Sequence, residues 1–369
     1  MFSNTASPRL PGPAWLALLL AVPAVLRPQS VGTPVVQPSP GVDSLAAKPG
    51  RLPAPLYESV TPLVFTFTAN LDRLRRDRDE DAPWRPATII YVNDDGTPAR
   101  MPLRARTRGI WRLRNCHFPP LRLNFWGDST RGTLLAGVDK PKLVNYCRDS
   151  DRFEEYVLQE LQLYRIYQLL TPFSHRTRLL RLSYADSANG RVRTTRWAFL
   201  LEEPAALARR VGAETSDIRG FTGHDLDPYQ HVLYAVFQYM IGNTDWSVHA
   251  QHNAEVLFKD GAYIPVAYDF DYSGAVDAEY AVPAPQLHIR DVRERVYRGY
   301  CVGDEHVAAV VSLFNDRRAA ITALYEDEVG RLLRPRTVER TLRYFDEFYR
   351  TINDPRTLRS RIIDRCGGK

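Results

Sequence analysis

The chain has 369 residues, 44% hydrophobic and 25% charged, with a formal charge of +6. Such a composition buries a substantial core and excludes a wholly disordered chain, a coiled coil and a polytopic membrane protein, since only one long apolar run occurs. The charge is too mild for its length to point to nucleic acid, and only five of the 49 basic residues are Lys, so single lysines carry more information than single arginines.

Arg9 precedes an apolar run from Ala14 to Leu26, which has the size and flank of a secretory signal peptide, placed at residues 1–30. Residues 31–56 are Pro-, Ser-, Gly- and Val-rich; eleven of the 27 prolines fall in the first 55 positions, so this stretch reads as a linker. No integral membrane span is expected after signal cleavage, and the chain is expected to be secreted or in the cell envelope. Export permits two disulfides among Cys116, Cys147, Cys301 and Cys366, with three connectivities open. Pairing within each half is one arrangement; four separate thiols is the alternative.

Residues 57–204 read as β-rich. Leu63–Thr68 alternates, Ala87–Val92 pairs with Met101–Arg106, and Pro120–Phe125 and Lys142–Tyr146 are short strands. A helix is expected over Arg152–Leu170, between a capping region at Asp149–Asp151 and a stop at Pro172. Thr177–Ala185 and Arg193–Leu201 form a hairpin. Residues 205–369 read as mainly helical: a helix opened by Asp227-Pro228 and closed by Gly242-Asn243, then helices at about 303–332 and 335–350. Between them, Ala254–Lys259 and Tyr263–Ala267 form a hairpin turned by Asp260-Gly261. The expected class is α+β in two lobes, a β-rich first lobe with one long helix and a mainly helical second, with a site in the cleft between them.

The densest constellation is Gly242 to Asn253 (GNTDWSVHAQHN), followed by Tyr268 to Gly274 (YDFDYSG). A hairpin brings its ends together, so Asn253 is expected near Asp269 and Asp271. An amide oxygen and one or two carboxylates, with positions left for phosphate and water, suit Mg²⁺. Asp245 is placed to accept a hydroxyl proton, which is the division of labour in kinases. His249 and His252 with Asp245 offer a second reading, a transition-metal hydrolase; a non-catalytic binding protein is a third.

Cations for phosphate come from Lys140 and Lys142, since Lys48, Lys259 and Lys369 lie in the linker, a turn and the terminus. Phe153, Val157, Tyr164 and Tyr167 form an apolar stripe that also holds Glu160. A buried carboxylate needs a partner, so Lys142–Glu160 is the expected ion pair, with Arg122 the rival cation. Neither GxGxxG nor a P-loop is present; Thr107-Arg108-Gly109 followed by Trp111 reads as a short phosphate-covering turn.

In their order these motifs resemble the CotH kinase family, atypical protein kinases related to the spore-coat protein CotH. The resemblance spans about residues 100–275 and rests on Arg108-Gly109-Ile110-Trp111, Phe118 to Leu123, the helix from Arg152, Gly242-Asn243-Thr244-Asp245, His252-Asn253 and Ile264 to Asp271. It implies a two-lobed atypical kinase-like fold and transfer of the ATP γ-phosphate to Ser/Thr of a protein substrate. It further implies ATP as donor, Asp245 as the catalytic residue, and Asn253 and Asp269, with Asp271 as a further candidate, as Mg²⁺ ligands; the residue reading adds Arg108, Arg122, Lys142 and Glu160 as the candidates around the nucleotide. Three features depart from the pattern. Three residues rather than two separate Pro265 from Asp269. Asp245 precedes Asn253 by eight positions, against about five in the usual kinase loop, and Arg122 stands where a Lys is expected.

Overall fold

Alternating apolar residues select the strands of the amino-terminal half. In β1 (Leu63–Ala69) the side chains of Leu63, Phe65, Phe67 and Ala69 are buried while those between are not, the period of two that a strand imposes. It is followed by α1 (Leu71–Arg76), β2 (Arg85–Val92), β3 (Pro98–Thr107), α2 (Ile110–Asn115), β4 (Leu121–Asn124), β5 (Lys142–Val144), α3 (Asp151–Leu170), β6 (Thr177–Asp186) and β7 (Val192–Leu201). The structure is a computed structural model describing residues 54–93, 96–127 and 129–367. The expected signal peptide and nearly all of the linker lie outside the described residues.

The seven strands run in the order β1-β2-β3-β4-β5-β7-β6 and close on themselves, because β1 pairs in parallel with β6 from Leu63↔Leu180 to Ala69↔Asp186. All other pairings in this sheet are antiparallel. This corrects the expected architecture. The chain does not form a two-lobed kinase-like fold with a β-rich lobe and a helical lobe; it forms a closed, mixed seven-stranded barrel with helices, and residues 50–369 make one compact unit. The physical reason is the closing pair. Alternation marks the buried face of a strand, but not its partner, and a parallel partner arrives only after a long crossover. Closure leaves no unpaired edge.

Beyond the barrel come α4 (Pro204–Val211), β8 (Glu214–Ser216), α5 (Pro228–Ile241), β9 (Ala254–Lys259), β10 (Ala262–Ala267), α6 (Asp304–Ala323), α7 (Pro335–Asn353) and α8 (Pro355–Arg361). The β9–β10 hairpin gains β8 as a third strand. The helix expected to run to about 332 stops at Ala323. Asp327 Oδ1 accepts the N–H groups of Val329 and Gly330 at 3.0 and 2.9 Å, forming a turn, and Arg165 of α3 holds the same carboxylate. Helix α3 is buried nearly all round, including Glu155, Gln159, Glu160 and Gln162, so it is not amphipathic in the simple sense expected. The cysteines form Cys116–Cys147 and Cys301–Cys366. No helix among the described residues is long and apolar enough to cross a membrane.

Within α5, His231 is fully buried; its Nε2 accepts the Tyr300 N–H at 2.8 Å and its ring stacks on Tyr300 at 5.0 Å. Burial pushes the imidazole down to about 4 from an ordinary 6.5. The folded state therefore holds neutral His231 while the unfolded chain takes up a proton below about pH 6.5, so stability is full above that value and falls as pH drops toward 4. The loss over this window is on the order of 3 kcal/mol. In His231→Gln, whose amide oxygen can still accept the Tyr300 N–H, urea melts at pH 7, 5 and 4 are expected to lose that much of the acid slope. An unchanged slope refutes the assignment.

Candidate functional site

The loop after α5 is held at several points. Gly242 ends the helix in the left-handed region (φ 66°), its N–H returning to the helix carbonyls. Asn243 Oδ1 then accepts the Asp245 N–H at 3.0 Å, and its carbonyl accepts the Trp246 indole N–H at 3.0 Å. Arg298 Nη1 donates to the carbonyls of Thr244 (2.5 Å) and Trp246 (2.7 Å). A methyl on Gly242 would stand 2.1 Å from Tyr344 Oη. Gly242→Ala is therefore expected to lose about 1–2 kcal/mol from the left-handed backbone and more from the collision. Adding Tyr344→Phe should recover part of the second loss and none of the first; denaturant melts of the two variants check this.

Asp245 is half exposed. His252 Nε2 stands 2.9 Å from its Oδ1, and Asn253 Nδ2 donates to its carbonyl oxygen (2.7 Å) and to Oδ2 (3.1 Å). Mutual N–H···O bonds between Ser247 and His252 (2.8 and 2.9 Å) fold the intervening residues into a small loop. That loop accounts for the wide Asp245–Asn253 spacing. Asn253 (φ 48°) and Asp269 (φ 62°) both sit in the left-handed region, one at each end of the hairpin stem, where the Tyr268 N–H meets the Asn253 carbonyl at 3.4 Å. Non-glycine residues in this region are uncommon and cluster at functional sites. The Asp269 N–H donates to Tyr164 Oη of α3 at 2.8 Å, fixing the turn from the far side.

Cations face these oxygens. Arg108 follows β3, its N–H bonded to the Pro120 carbonyl at 3.0 Å, and its buried Nε has no hydrogen-bond partner among the described residues. Burial lowers the Arg108 pKa, and Asp269 is the leading charge opposing that effect. Lys142 on β5 lies 3.7 Å from Glu255 Oε1 and 4.1 Å over the Tyr268 ring. Burial lowers its pKa too, against Glu255 and Asp269. Glu255 is shared with His175, whose Nε2 stands 3.1 Å away. Arg122 is paired with Lys142 across the β4–β5 ladder and donates from Nε to the Lys140 carbonyl at 3.4 Å, so a second cation stands beside the lysine.

The expected Lys142–Glu160 pair is replaced by others. Glu160 lies 3.8 Å from Arg112 Nη2, and the same guanidinium stands 2.6 Å from Asp271 Oδ2. Asp271 is thus committed to Arg112, which leaves Asn253 and Asp269 as the oxygen donors at the hairpin ends. Burial, then the neighbouring Asp271, holds the Glu160 carboxyl well above its ordinary range. Burial disfavours the Arg112 charge, but the surrounding acidic groups, Asp271 first, then Tyr280, Glu160 and Asp269, together outweigh it and keep the guanidinium charged.

Arg112 is the residue that sequence reasoning missed. It sits on α2, a helix of six residues that follows Gly109 (φ 88°) and is too short to show a period. Long-range contacts hold it: Arg78 Nη1 caps it by donating to the Leu113 (2.8 Å) and Cys116 (2.7 Å) carbonyls, the Cys116–Cys147 disulfide ties its end down, and Trp111 packs on Tyr272 and Tyr280. The available signal was Cys116 itself, four positions after Arg112.

The two imidazoles serve different partners: His249 Nδ1 meets the Phe221 carbonyl at 3.3 Å, and His252 meets Asp245. Among the described residues, no three or more His, Cys, Asp or Glu are grouped to hold a metal ion. Mg²⁺ asks for less, one or two protein oxygens with phosphate and water completing the shell. Asn253 suits that role, because its Nδ2 is spent on Asp245 and its Oδ1 has no donor among the described residues. Asp269, with only its backbone N–H bonded, suits it as well. Comparison of the chain with protein-family models and with curated proteins finds no match to either.

Proposed function

We propose that the chain transfers the γ-phosphate of ATP to a Ser or Thr hydroxyl of a protein substrate, with Mg²⁺, as the resemblance to CotH kinases implies. The observation that carries this reading is the charge arrangement around Asp269. Arg108, with a buried Nε left without a partner among the described residues, and Lys142 both face a carboxylate beside the Asn253 amide. Two partly desolvated cations beside free oxygen donors suit a bound metal–polyphosphate better than they suit a structural ion pair.

In this reading Asn253 Oδ1 and the Asp269 carboxylate hold the metal, which supplies neutralisation of charge on the transferring group. Arg108 and Lys142 bind the phosphate oxygens. Asp245, oriented by His252 and Asn253, accepts the proton of the incoming hydroxyl or aligns it for attack. Arg112, shared by Glu160 and Asp271, ties α3 to the loop that carries Asp269. The reading also puts the protein in an exported, oxidising compartment, which the two disulfides support.

Thermal melts of the disulfide-intact protein test the binding half. Mg²⁺ with ATP is expected to raise the midpoint by a few degrees at about 100 times Kd, with ATP or Mg²⁺ alone doing less. Arg108→Ala and Asp269→Asn should each remove most of that rise. No Mg²⁺-dependent rise, or one indifferent to both substitutions, overturns the proposal.

A further inference from the structure

A cleft of about 1170 Å³ opens on one face of α3. Arg152, Glu155, Tyr156 and Gln159 line it, at the three- and four-residue steps of one helix face. Glu160 and Tyr164 instead face the candidate active site. Opposite stand the loop residues from Asp277 to Pro283 and from Arg290 to Val292, and the first turns of α7 from Arg334 to Arg343.

Gln159 is the anomaly. It is 3% exposed, yet neither its Oε1 nor its Nε2 has a hydrogen-bond partner among the described residues. A buried amide left unpaired is costly, and such a group in a cleft points to something that completes it. The charges around it are unequal in what they leave over. Glu155 accepts the Arg334 N–H at 2.9 Å and its Nε at 2.8 Å. Arg340 holds Asp277 at 2.9 Å, Arg152 holds Glu279 at 2.9 Å, and Arg343 holds Glu339 at 2.5 Å. Asp291 Oδ1 accepts the Arg293 N–H at 2.7 Å. Every carboxylate lining the cleft is therefore engaged. The exposed side chains of Arg290 and Arg336 have no acceptor among the described residues.

We infer that this cleft binds an acidic peptide segment, its main-chain amide pairing with Gln159 and its carboxylates with Arg290 and Arg336. An unpaired Gln amide offers both N–H donors and a carbonyl acceptor, so it can meet the C=O and the N–H of a peptide group together. A cation is disfavoured, since it would have to displace an existing guanidinium from a carboxylate. A small phosphate ligand is disfavoured on two grounds. Glu155 already occupies the start of α7, where a helix would bind phosphate, and the volume exceeds the range of about 300–1,000 Å³ typical of small-molecule sites. The inference is independent of phosphoryl transfer.

Fluorescence anisotropy on the full, disulfide-intact chain tests it, with a fluorescein-labelled, end-capped peptide of alternating Glu and Gly and its Gln-for-Glu counterpart as probes. The Glu peptide is expected to bind saturably, weaken with added salt, and exceed its neutral counterpart in affinity. Gln159→Leu and Arg336→Glu should each weaken it about tenfold, whereas Asp245→Asn should leave it unchanged. Arg336 is exposed, so that variant keeps the test open should Gln159→Leu fail to fold. Absent binding, equal affinity for the neutral peptide, indifference to Arg336→Glu, or displacement by inorganic phosphate would each overturn the inference.

Discussion

Asp245→Asn is expected to lower the rate of phosphoryl transfer by about 10²–10⁴-fold while leaving the melting midpoint and the Mg²⁺–ATP rise in place. The separation follows from the contacts. Asn253 Nδ2 bonds the Asp245 main-chain oxygen at 2.7 Å, which the substitution does not touch, and the Asp245 N–H keeps its bond to Asn243 Oδ1. The loop therefore keeps its shape, and Asn253 keeps its Oδ1 turned away from the new amide. What disappears is the proton-accepting oxygen and the carboxylate that His252 meets at 2.9 Å. His252→Ala should cost less, because it removes only an orienting contact from an exposed ring. Transfer measured under single-turnover conditions, with melts of the same samples, distinguishes the outcomes. Equal rates in Asp245→Asn and the parent chain would rule out the proposed role. Loss of both rate and nucleotide binding would assign Asp245 to the metal instead.

Local geometry made part of this site legible in advance. The Asp260-Gly261 turn fixes the hairpin, found at Ala254–Lys259 and Ala262–Ala267 within one residue of expectation, and a hairpin necessarily brings residues 253 and 269 to its open end. Helix α5 starts at Pro228 and stops at Gly242 for equally local reasons: Asp227 Oδ1 accepts the Gln230 N–H, and glycine supplies the left-handed stop. Those two elements together place Asp245, Asn253 and Asp269.

Ion pairing was not legible, because it is decided by tertiary partners. Glu160 was expected to need a cation, and it has one, but Arg112 reaches it from a six-residue helix held by Arg78 and a disulfide. Lys142, once displaced from Glu160, finds Glu255 on β9, an element far along the chain. The barrel is the same lesson at larger scale. Alternation marked β1, yet closure depends on β1 meeting β6 in parallel, and nothing in either strand names the other. The apolar stripe read into α3 does lie in the interior with Glu160, but burial extends well beyond it. When a helix is enclosed on all sides, polar side chains such as Gln162, which donates to the Leu324 carbonyl at 2.8 Å, are buried as readily as apolar ones.

Glu202→Ala is expected to destabilise the chain by about 3–5 kcal/mol, the usual result of removing one member of a buried ionic cluster. Glu202 follows β7, and its side chain is 1% exposed. It accepts from Arg176 Nε (3.1 Å) and the Arg176 N–H (3.1 Å), and from Arg210 Nε (3.0 Å) and Nη2 (2.9 Å). Arg210 also donates to the Ser174 carbonyl at 2.7 Å, so one carboxylate joins the segment after α3, the start of β6, the end of β7 and α4. Its removal leaves two guanidinium groups close together without the buried carboxylate they share. The pH dependence distinguishes this cluster from simple packing. Burial acts to raise the Glu202 pKa, but the hydrogen bonds and charge of Arg210, then Arg176, outweigh it and bring the group below the ordinary carboxyl value. A depressed folded pKa gives stability that is present above the unfolded value of about 4.3 and is lost as pH falls through the folded one. In Glu202→Gln, which keeps the volume, the deficit relative to the parent chain should therefore be full at pH 7 and shrink below about pH 4. Urea melts across that range decide it: a deficit that stays constant with pH would show that the carboxylate's charge contributes nothing, and that shape alone holds the junction together.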